Sequence, residues 1–360
     1  MNTKKSPAGL YIHIPFCGGK CPYCDFYSVT PDFGLMAQYT DAIIRELAGQ
    51  TQYHDRVFDT LYFGGGTPNL LGADNLGRII KAVKQTVALE NPEITLECNP
   101  ASFSGSFFEE MAAAGVNRVS MGLQSACADE LAFLGRKHTV EQVESAVTAA
   151  KKAGISNISL DIIAGLPEQD INTLAKTLTF AAGQEVTHIS VYLLKVEEGT
   201  PFFERGVVTG EDVQEEHFLY LCERLASLGF EQYEISNFCK PGFESRHNLH
   251  YWQAEEYWGL GPSAHSFMDS KRFFYPPDVN AFIGKPAAVP DGEGGGAEEK
   301  AMLALRLCRG LRGEKAIPFL ENAKKLPPDL VQLETDVPCI RLTTKGFLLS
   351  NTLIARILYG

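Results

Sequence analysis

The sequence predicts an α/β protein built on a parallel sheet, followed by a small, mainly helical C-terminal domain. Two observations carry this. From Leu10 to Leu194 strand-like and helix-like segments alternate, the order in which right-handed crossovers return each strand parallel to the last. The chemically conspicuous residues, three cysteines, a triple glycine and several carboxylates, fall at the ends of those strands. That placement suits a full or partial TIM-like barrel, whose working face lies at the carboxyl ends of its strands. A flat doubly wound sheet has the same periodicity, and periodicity alone leaves it open.

The first strand starts near Leu10, where Leu10, Ile12 and Ile14 alternate with Tyr11 and His13, the period of a strand with one buried face. Pro15 ends it, because proline has no N–H for the ladder. Leu35 to Gln50 reads as a helix, with Met36, Tyr39, Ile43, Ile44 and Leu47 at helical spacing. Thr60 to Gly64 is a short buried strand, Asn75 to Leu89 a helix, Glu93 to Cys98 a strand, and Phe103 to Ala114 a helix stopped by Gly115. Arg118 to Gln124 is the fourth strand. Helices follow at Ala128 to Leu134 and Val140 to Ala153, then a strand at Ile155 to Ile163. Asn172 to Gln184 is a helix and His188 to Leu194 the sixth strand. Val213 to Leu228 is a further helix with Gly229 as its cap, and Glu231 to Cys239 reads as a strand. The domain organisation expected is a barrel over 1–284 with an aromatic- and histidine-rich extension at about 231–267, a Pro- and Gly-rich linker at 285–298, and a small domain at 299–360.

The chain has 360 residues, 45% hydrophobic and 21% charged, within the range of ordinary globular proteins. Its formal net charge of −12 argues against a nucleic-acid partner and against tight docking on anionic lipid. The first ten residues have no apolar core of a signal peptide, and no run approaches the roughly 20 apolar residues of a membrane span. Nine cysteines, an odd number, do not form a disulfide framework. A cytoplasmic location, including a peripheral position at the membrane, is expected.

The first strand runs into Cys17, Cys21 and Cys24, spaced C-x3-C-x2-C, with Gly18 and Gly19 letting the chain wrap tightly. A structural zinc site normally closes with four ligands and an electron-transfer cluster with four cysteines. Three thiolates on a four-iron cluster leave one iron open to another ligand. Unrelated cysteines, or a zinc site completed elsewhere, are the alternatives on spacing alone. Gly64, Gly65 and Gly66, followed by Thr67 and Pro68, end the second strand and present bare backbone to a close neighbour. Glu97, Gln124 and Asp161 lie at or near later strand ends, and Asp161 sits in an apolar strand where a carboxylate needs a partner.

The C-x3-C-x2-C motif, with Tyr23 before its last cysteine, resembles the signature of the radical S-adenosylmethionine (SAM) superfamily. The words YIHIPFC and CPYCDF resemble the branch holding oxygen-independent coproporphyrinogen III oxidase and HemW-type haem chaperones. The resemblance extends to about Phe267 and implies an incomplete, roughly six-stranded (β/α) barrel. It implies a 4Fe-4S cluster on Cys17, Cys21 and Cys24, with SAM on its open iron. Position by position, Gly64, Gly65, Gly66 and Thr67 match the motif that contacts the SAM amino group. Glu97, Gln124, Arg136 and Asp161 match SAM-binding positions, Arg136 facing the SAM carboxylate, and Tyr11 and Tyr23 match aromatic positions beside them. One-electron reduction by an outside donor could then give a 5′-deoxyadenosyl radical, chemistry that belongs to the cofactor.

The stretch Arg246 to Trp252, RHNLHYW, resembles the H-N-x-x-Y-W motif of the haem chaperones, which implies haem binding at His247. Imidazole is a common axial ligand and aromatic neighbours suit a flat macrocycle. His250 occupies a variable motif position, His265 is a second candidate, and His13 reads as local support near the cluster. Two functions compete: a chaperone that hands haem to haem proteins not identified by sequence, and an oxidase that decarboxylates coproporphyrinogen III. The oxidase pattern has a fourth cysteine two positions after the third, where this chain has Phe26. It also has an extension before the barrel, whereas here the first strand begins near Leu10. Both departures favour the chaperone. A radical SAM enzyme acting on an unrelated substrate, including RNA, is the third reading.

Overall fold

A computed structural model describes residues 6–103 and 105–360. The parallel strands are β1 (Ala8–Ile14), β2 (Val57–Gly65), β3 (Ala88–Cys98), β4 (Arg118–Gln124), β5 (Asn157–Ala164) and β6 (His188–Leu193), adjacent in chain order. Between them lie α1 (Phe33–Gly49), α2 (Ala73–Thr86), α3 (Phe107–Ala114), α4 (Ala128–Phe133), α5 (Val140–Lys152) and α6 (Ile171–Gly183). Leu10, Ile12 and Ile14 are fully buried against this outer helical layer, with Leu61, Phe63, Leu96 and Met121 of neighbouring strands. Burying one such side chain contributes about 1.5–3 kcal/mol. Local chemistry fixes the helix starts. Asp32 caps α1 by accepting from the Leu35 N–H at 2.9 Å, and Thr139–Gln142 and Asp170–Thr173 form capping boxes on α5 and α6. Such a cap is worth about 1 kcal/mol.

The sheet does not close. After β6 come α7 (Pro201–Glu204), α8 (Glu211–Ser227), β7 (Glu231–Gln232) and β8 (Asn237–Cys239). β8 lies antiparallel to β6 and carries β7 as the edge. At the other end, α9 (Arg246–Trp252) leads into β9 (Tyr257–Leu260), which pairs parallel to β1 with Leu10 opposite Trp258. The antiparallel β10 (His265–Met268) and β11 (Lys271–Phe274) extend that edge. After α10 (Val279–Gly284), β12 (Val289–Glu293) pairs with β11 and completes twelve strands. The expected incomplete barrel is therefore present as an open sheet. Its 285–298 stretch, expected as a linker, carries the exposed edge strand β12.

The C-terminal segment holds α11 (Ala297–Ala304), β13 (Leu311–Arg312), α12 (Leu320–Ala323), β14 (Val331–Glu334), β15 (Cys339–Leu342), α13 (Thr344–Leu348) and α14 (Ser350–Tyr359). Its helices surround a three-stranded antiparallel sheet, order β13-β15-β14. It meets the barrel at the β7–β8 turn, where Cys308 N–H donates to Tyr233 O at 3.0 Å. Among the described residues no helix is long and apolar enough to cross a membrane.

Candidate functional site

Strand alternation sends one row of side chains out to the helices and the next into the barrel. The inward row is polar: Tyr11 and His13 on β1, Thr60 and Tyr62 on β2, Glu97 on β3, Ser120 on β4, Asp161 on β5 and Ser190 on β6. Above it, at the carboxyl ends, opens a cavity of about 590 Å³. Its wall contains Cys17, Cys21, Cys24, Tyr23, Gly65, Gly66, Thr67, Glu97, Gln124, Arg136 and Asp161. Residues scattered over 145 positions of sequence are thus brought to one concavity, the place where such barrels do their chemistry. No residue of 299–360 lines it among those described.

The cysteine loop is fixed from both sides. Cys17 N–H donates to Val29 O and Val29 N–H to Pro15 O, so the loop leaves and rejoins beside the end of β1. All three thiols are free and partly exposed to the cavity. Among the described residues, no three metal-binding side chains close on a point suited to a single ion. Donors nevertheless face the sulfurs: Thr67 Oγ1 lies 3.7 Å from Cys17 Sγ, and Arg136 Nη1 3.7 Å from Cys21 Sγ. Burial pushes the Cys24 thiol up, so its thiolate needs a cationic partner. Three sulfurs and two donors fit an anionic-sulfur cluster, which would be held by Cys17, Cys21 and Cys24.

The glycine turn is built by close approach. Thr67 N–H donates to Phe16 O at 2.7 Å and Gly66 N–H to Ile14 O at 2.9 Å. Gly65 has φ of +117°, with the His13 ring against its α-carbon. His13 is held by the Tyr11 hydroxyl at 3.0 Å and by the Tyr27 carbonyl at 3.2 Å, and burial lowers its pKa to about 4, leaving it neutral. Its expected role as support is what these contacts describe.

Glu97 Oε1 accepts from the Tyr62 hydroxyl at 2.8 Å and Oε2 from the Gly65 N–H at 3.2 Å. Burial raises its pKa to about 7, with the Asp161 carboxylate adding to the rise against these hydrogen bonds. Asp161 finds its partners in hydroxyls: Ser120 Oγ donates at 3.0 Å and Ser159 Oγ at 3.5 Å. Burial still pushes its carboxyl above the usual range. Two inward carboxylates with raised pKa values favour a cationic ligand, and SAM carries both an ammonium and a sulfonium. Gln124 has φ of +64° at a bulge between β4 and β5, a strained conformation for a non-glycine residue that turns its side chain toward the cavity. Arg136 Nη2 donates to Gly122 O at 3.2 Å, which aims the guanidinium at the cysteine loop.

A titration follows from Glu97. Below pH 7 its carboxyl is protonated in the empty site, and a bound cation favours the carboxylate. Binding of a cationic ligand such as SAM at Glu97 would then release up to one proton, so its affinity is expected to rise with pH between about 5.5 and 7.5, by at most about tenfold per unit. Isothermal titration across that range checks it; a Glu97→Gln variant is expected to lose most of the slope.

The remaining site residues lie elsewhere. Gly64 and Tyr11 sit one layer beneath the cavity floor, where a Cβ on Gly64 would meet Tyr11 Cε2 at 3.0 Å. His247 is in α9, at the opposite, N-terminal half of the barrel, against Gly9. Its Nδ1 is 2.7 Å from Thr60 Oγ1 and its Nε2 2.8 Å from the Tyr251 hydroxyl. Its ring stacks on Tyr62 at 5.0 Å, and the residue is 1% exposed. Burial holds its pKa well below the ordinary value, so the ring is neutral. His250 is buried too. Burial opposes its charge, but Asp59 at 2.7 Å and Glu255 at 2.9 Å outweigh that and raise its pKa to about 9. His265 is exposed, stacked on Phe274 at 5.2 Å. Sequence reasoning missed Tyr62, Thr60 and Ser120. Their signal was the polar half of each strand alternation.

The radical SAM superfamily pattern matches residues 11–181, which span the cysteine loop, the glycine turn and five of the parallel strands. In fold, the chain is similar to the solved structure of coproporphyrinogen III oxidase from Escherichia coli, a radical SAM enzyme. The TM-score is 0.83 at 20% identity, over 99% of this chain and 91% of that one. The matched pattern, on this fold, marks the chain as a radical SAM protein. In sequence, the chain is 37% identical to heme chaperone HemW of Synechocystis sp., covering 90% of this chain and 83% of the relative. It is 33% identical to heme chaperone HemW of Lactococcus lactis over 98% of both chains, and 35% identical to that of Escherichia coli over 73% and 71%. The chain belongs to the HemW family.

Proposed function

We propose that this chain is a haem chaperone on a radical SAM scaffold. It holds a 4Fe-4S cluster on Cys17, Cys21 and Cys24, binds SAM along the cavity wall, takes up haem as cargo and passes it to a haem-accepting protein. The observation that carries the reading against the oxidase is Phe26. It lines the cavity beside the cysteine loop, 60% exposed, where the oxidase pattern has a fourth cysteine. When bound, the cluster and SAM supply one-electron chemistry. The chain's own part is positional. Glu97 and Asp161 neutralise the ligand's positive charge, the Gly65–Gly66 backbone lets it approach, and Arg136 steadies the loop that holds the thiols. His247 is the proposed haem ligand. Because both its ring nitrogens are hydrogen-bonded, it reaches iron only when α9 lifts from β1 and β2.

Soret titration of the cluster-loaded protein tests the proposal: haem binds one to one, and His247→Ala weakens it by about tenfold or more. Equal titrations would remove His247 as ligand. In parallel, coproporphyrinogen III with SAM and a reductant is expected to give no protoporphyrinogen under anaerobic conditions. Its formation would replace the chaperone reading with the oxidase.

A further inference from the structure

A neutral imidazole has one lone pair. In His247 it is taken up within the Thr60 and Tyr251 hydrogen bonds, so the docked helix α9 offers iron nothing to bind. The docked state is held by more than the ring. The backbone N–H groups of Arg246 and His247 both donate to the Glu93 carboxylate at 3.3 Å, and Arg246 Nη2 meets Asp59 at 2.8 Å. Haem capture through His247 therefore competes with these contacts.

Tyr11 of β1 and Tyr62 of β2 both touch the His247 ring, and Tyr62 is the one hydrogen-bonded to a carboxylate of the SAM cavity wall. The ring of Tyr62 stacks on the His247 ring, centroids 5.0 Å apart and planes 25° from parallel. Its hydroxyl donates to Glu97 Oε1 at 2.8 Å, while Glu97 Oε2 receives the Gly65 N–H. Tyr62 thus spans the distance between the haem-motif ring and the carboxylate on the cavity wall. We propose that Tyr62 couples the two sites, so that SAM on the cavity wall favours the docked α9 and drives haem off. The proposal rests on His247 being the haem ligand.

The sign follows from which state holds which contact. A cationic ligand fixes Glu97 in the position that also receives the Tyr62 hydroxyl, and that position is available while the Tyr62 ring lies on His247. Lifting α9 removes the ring's stacking partner and releases Tyr62 from Glu97. SAM therefore binds the docked state better and haem binds only the lifted one, and a ligand shifts an equilibrium by its differential affinity. The coupling is reciprocal by linkage. SAM loading is then the signal for haem release to an acceptor.

The test is a pair of haem titrations on the cluster-loaded full chain, without reductant so that SAM stays intact, at zero and saturating SAM. The wild type is expected to bind haem at least about fivefold more weakly with SAM present, and haem to weaken SAM by the same factor. Tyr62→Phe keeps the ring on His247 and removes only the hydroxyl to Glu97, and the factor should fall toward one. Thr60→Val takes one hydrogen bond from the docked state alone, and should tighten haem roughly five- to tenfold. A residue that merely supports the fold would move neither the ratio nor the affinity in that direction. Equal haem affinities with and without SAM in the wild type, or an undiminished factor in Tyr62→Phe, would overturn the coupling while leaving the chaperone reading intact. A wild type that binds no haem would remove that reading, and the coupling with it.

Discussion

Cys17→Ala is expected to abolish the iron–sulfur cluster. Anaerobic reconstitution of the wild type should give a brown protein with about four irons and four sulfides per chain, the content of one cubane cluster. The variant should return to background iron. Among the described residues four cysteines line the cavity, and of these only Cys17, Cys21 and Cys24 are partly exposed, so the loss of one leaves two anchors for four irons. The other cysteines do not replace it. Cys98 lines the same cavity but is buried, its thiol pushed far up by that burial, and Cys222 is raised to about 12 for the same reason. A thiol held protonated is a poor ligand. Cys222→Ala, outside the cavity, should leave iron content unchanged. SAM affinity should fall with the cluster in Cys17→Ala, since the open iron would supply one of its contacts. An unchanged iron content and visible spectrum in Cys17→Ala would sink the cluster assignment.

What the sequence made legible is what period and punctuation encode. Leu10, Ile12 and Ile14 gave the buried face of β1, Pro15 its end, and the cysteine loop followed. Glu97 and Gln124 stood out as strand-closing residues, Asp161 as a carboxylate inside an apolar strand, and all three by their match to the resembled family; all three reach the cavity. Depth along a strand was not legible. Alternation says that Tyr11 faces inward but not that it lies beneath the cavity, against the rings of both Tyr62 and His247. The pairing of β9 with β1 joins residues about 248 positions apart, through a four-residue strand within an aromatic stretch. No local signal marks such a contact. β12 was hidden by the prolines and glycines that also make it an edge strand, and β13 has only two residues. His247 carries the sharpest lesson. The HNLHYW stretch is recognisable as a motif, yet its resting state, with every ring nitrogen occupied, depends on Thr60 from another strand.

Gly66→Ala tests whether the glycine turn is structural punctuation or part of the SAM site. A Cβ at Gly66 would stand 2.6 Å from Phe16 O and 3.0 Å from Phe16 C. Those are backbone atoms, one residue before Cys17, and they cannot rotate away as a side chain would. The turn must shift, and the Gly66 N–H to Ile14 O and Thr67 N–H to Phe16 O bonds lengthen or break. Overpacking of this kind costs about 1–3 kcal/mol, which in a chain of this size lowers Tm by only a few degrees. The effect on binding should be larger, because the same displacement moves Thr67 off Cys17 Sγ and disturbs the Gly65 N–H that orients Glu97. The expected outcome is SAM binding weakened more than tenfold, with partial loss of iron. Gly77→Ala is the control. It lies in the interior of α2 with nothing within 4 Å of its would-be Cβ. Alanine there should raise stability by up to about 1 kcal/mol and leave SAM binding alone. If Gly66→Ala bound SAM as the wild type does, the turn would be ordinary strand-end punctuation and the cavity's ligand would approach from another side.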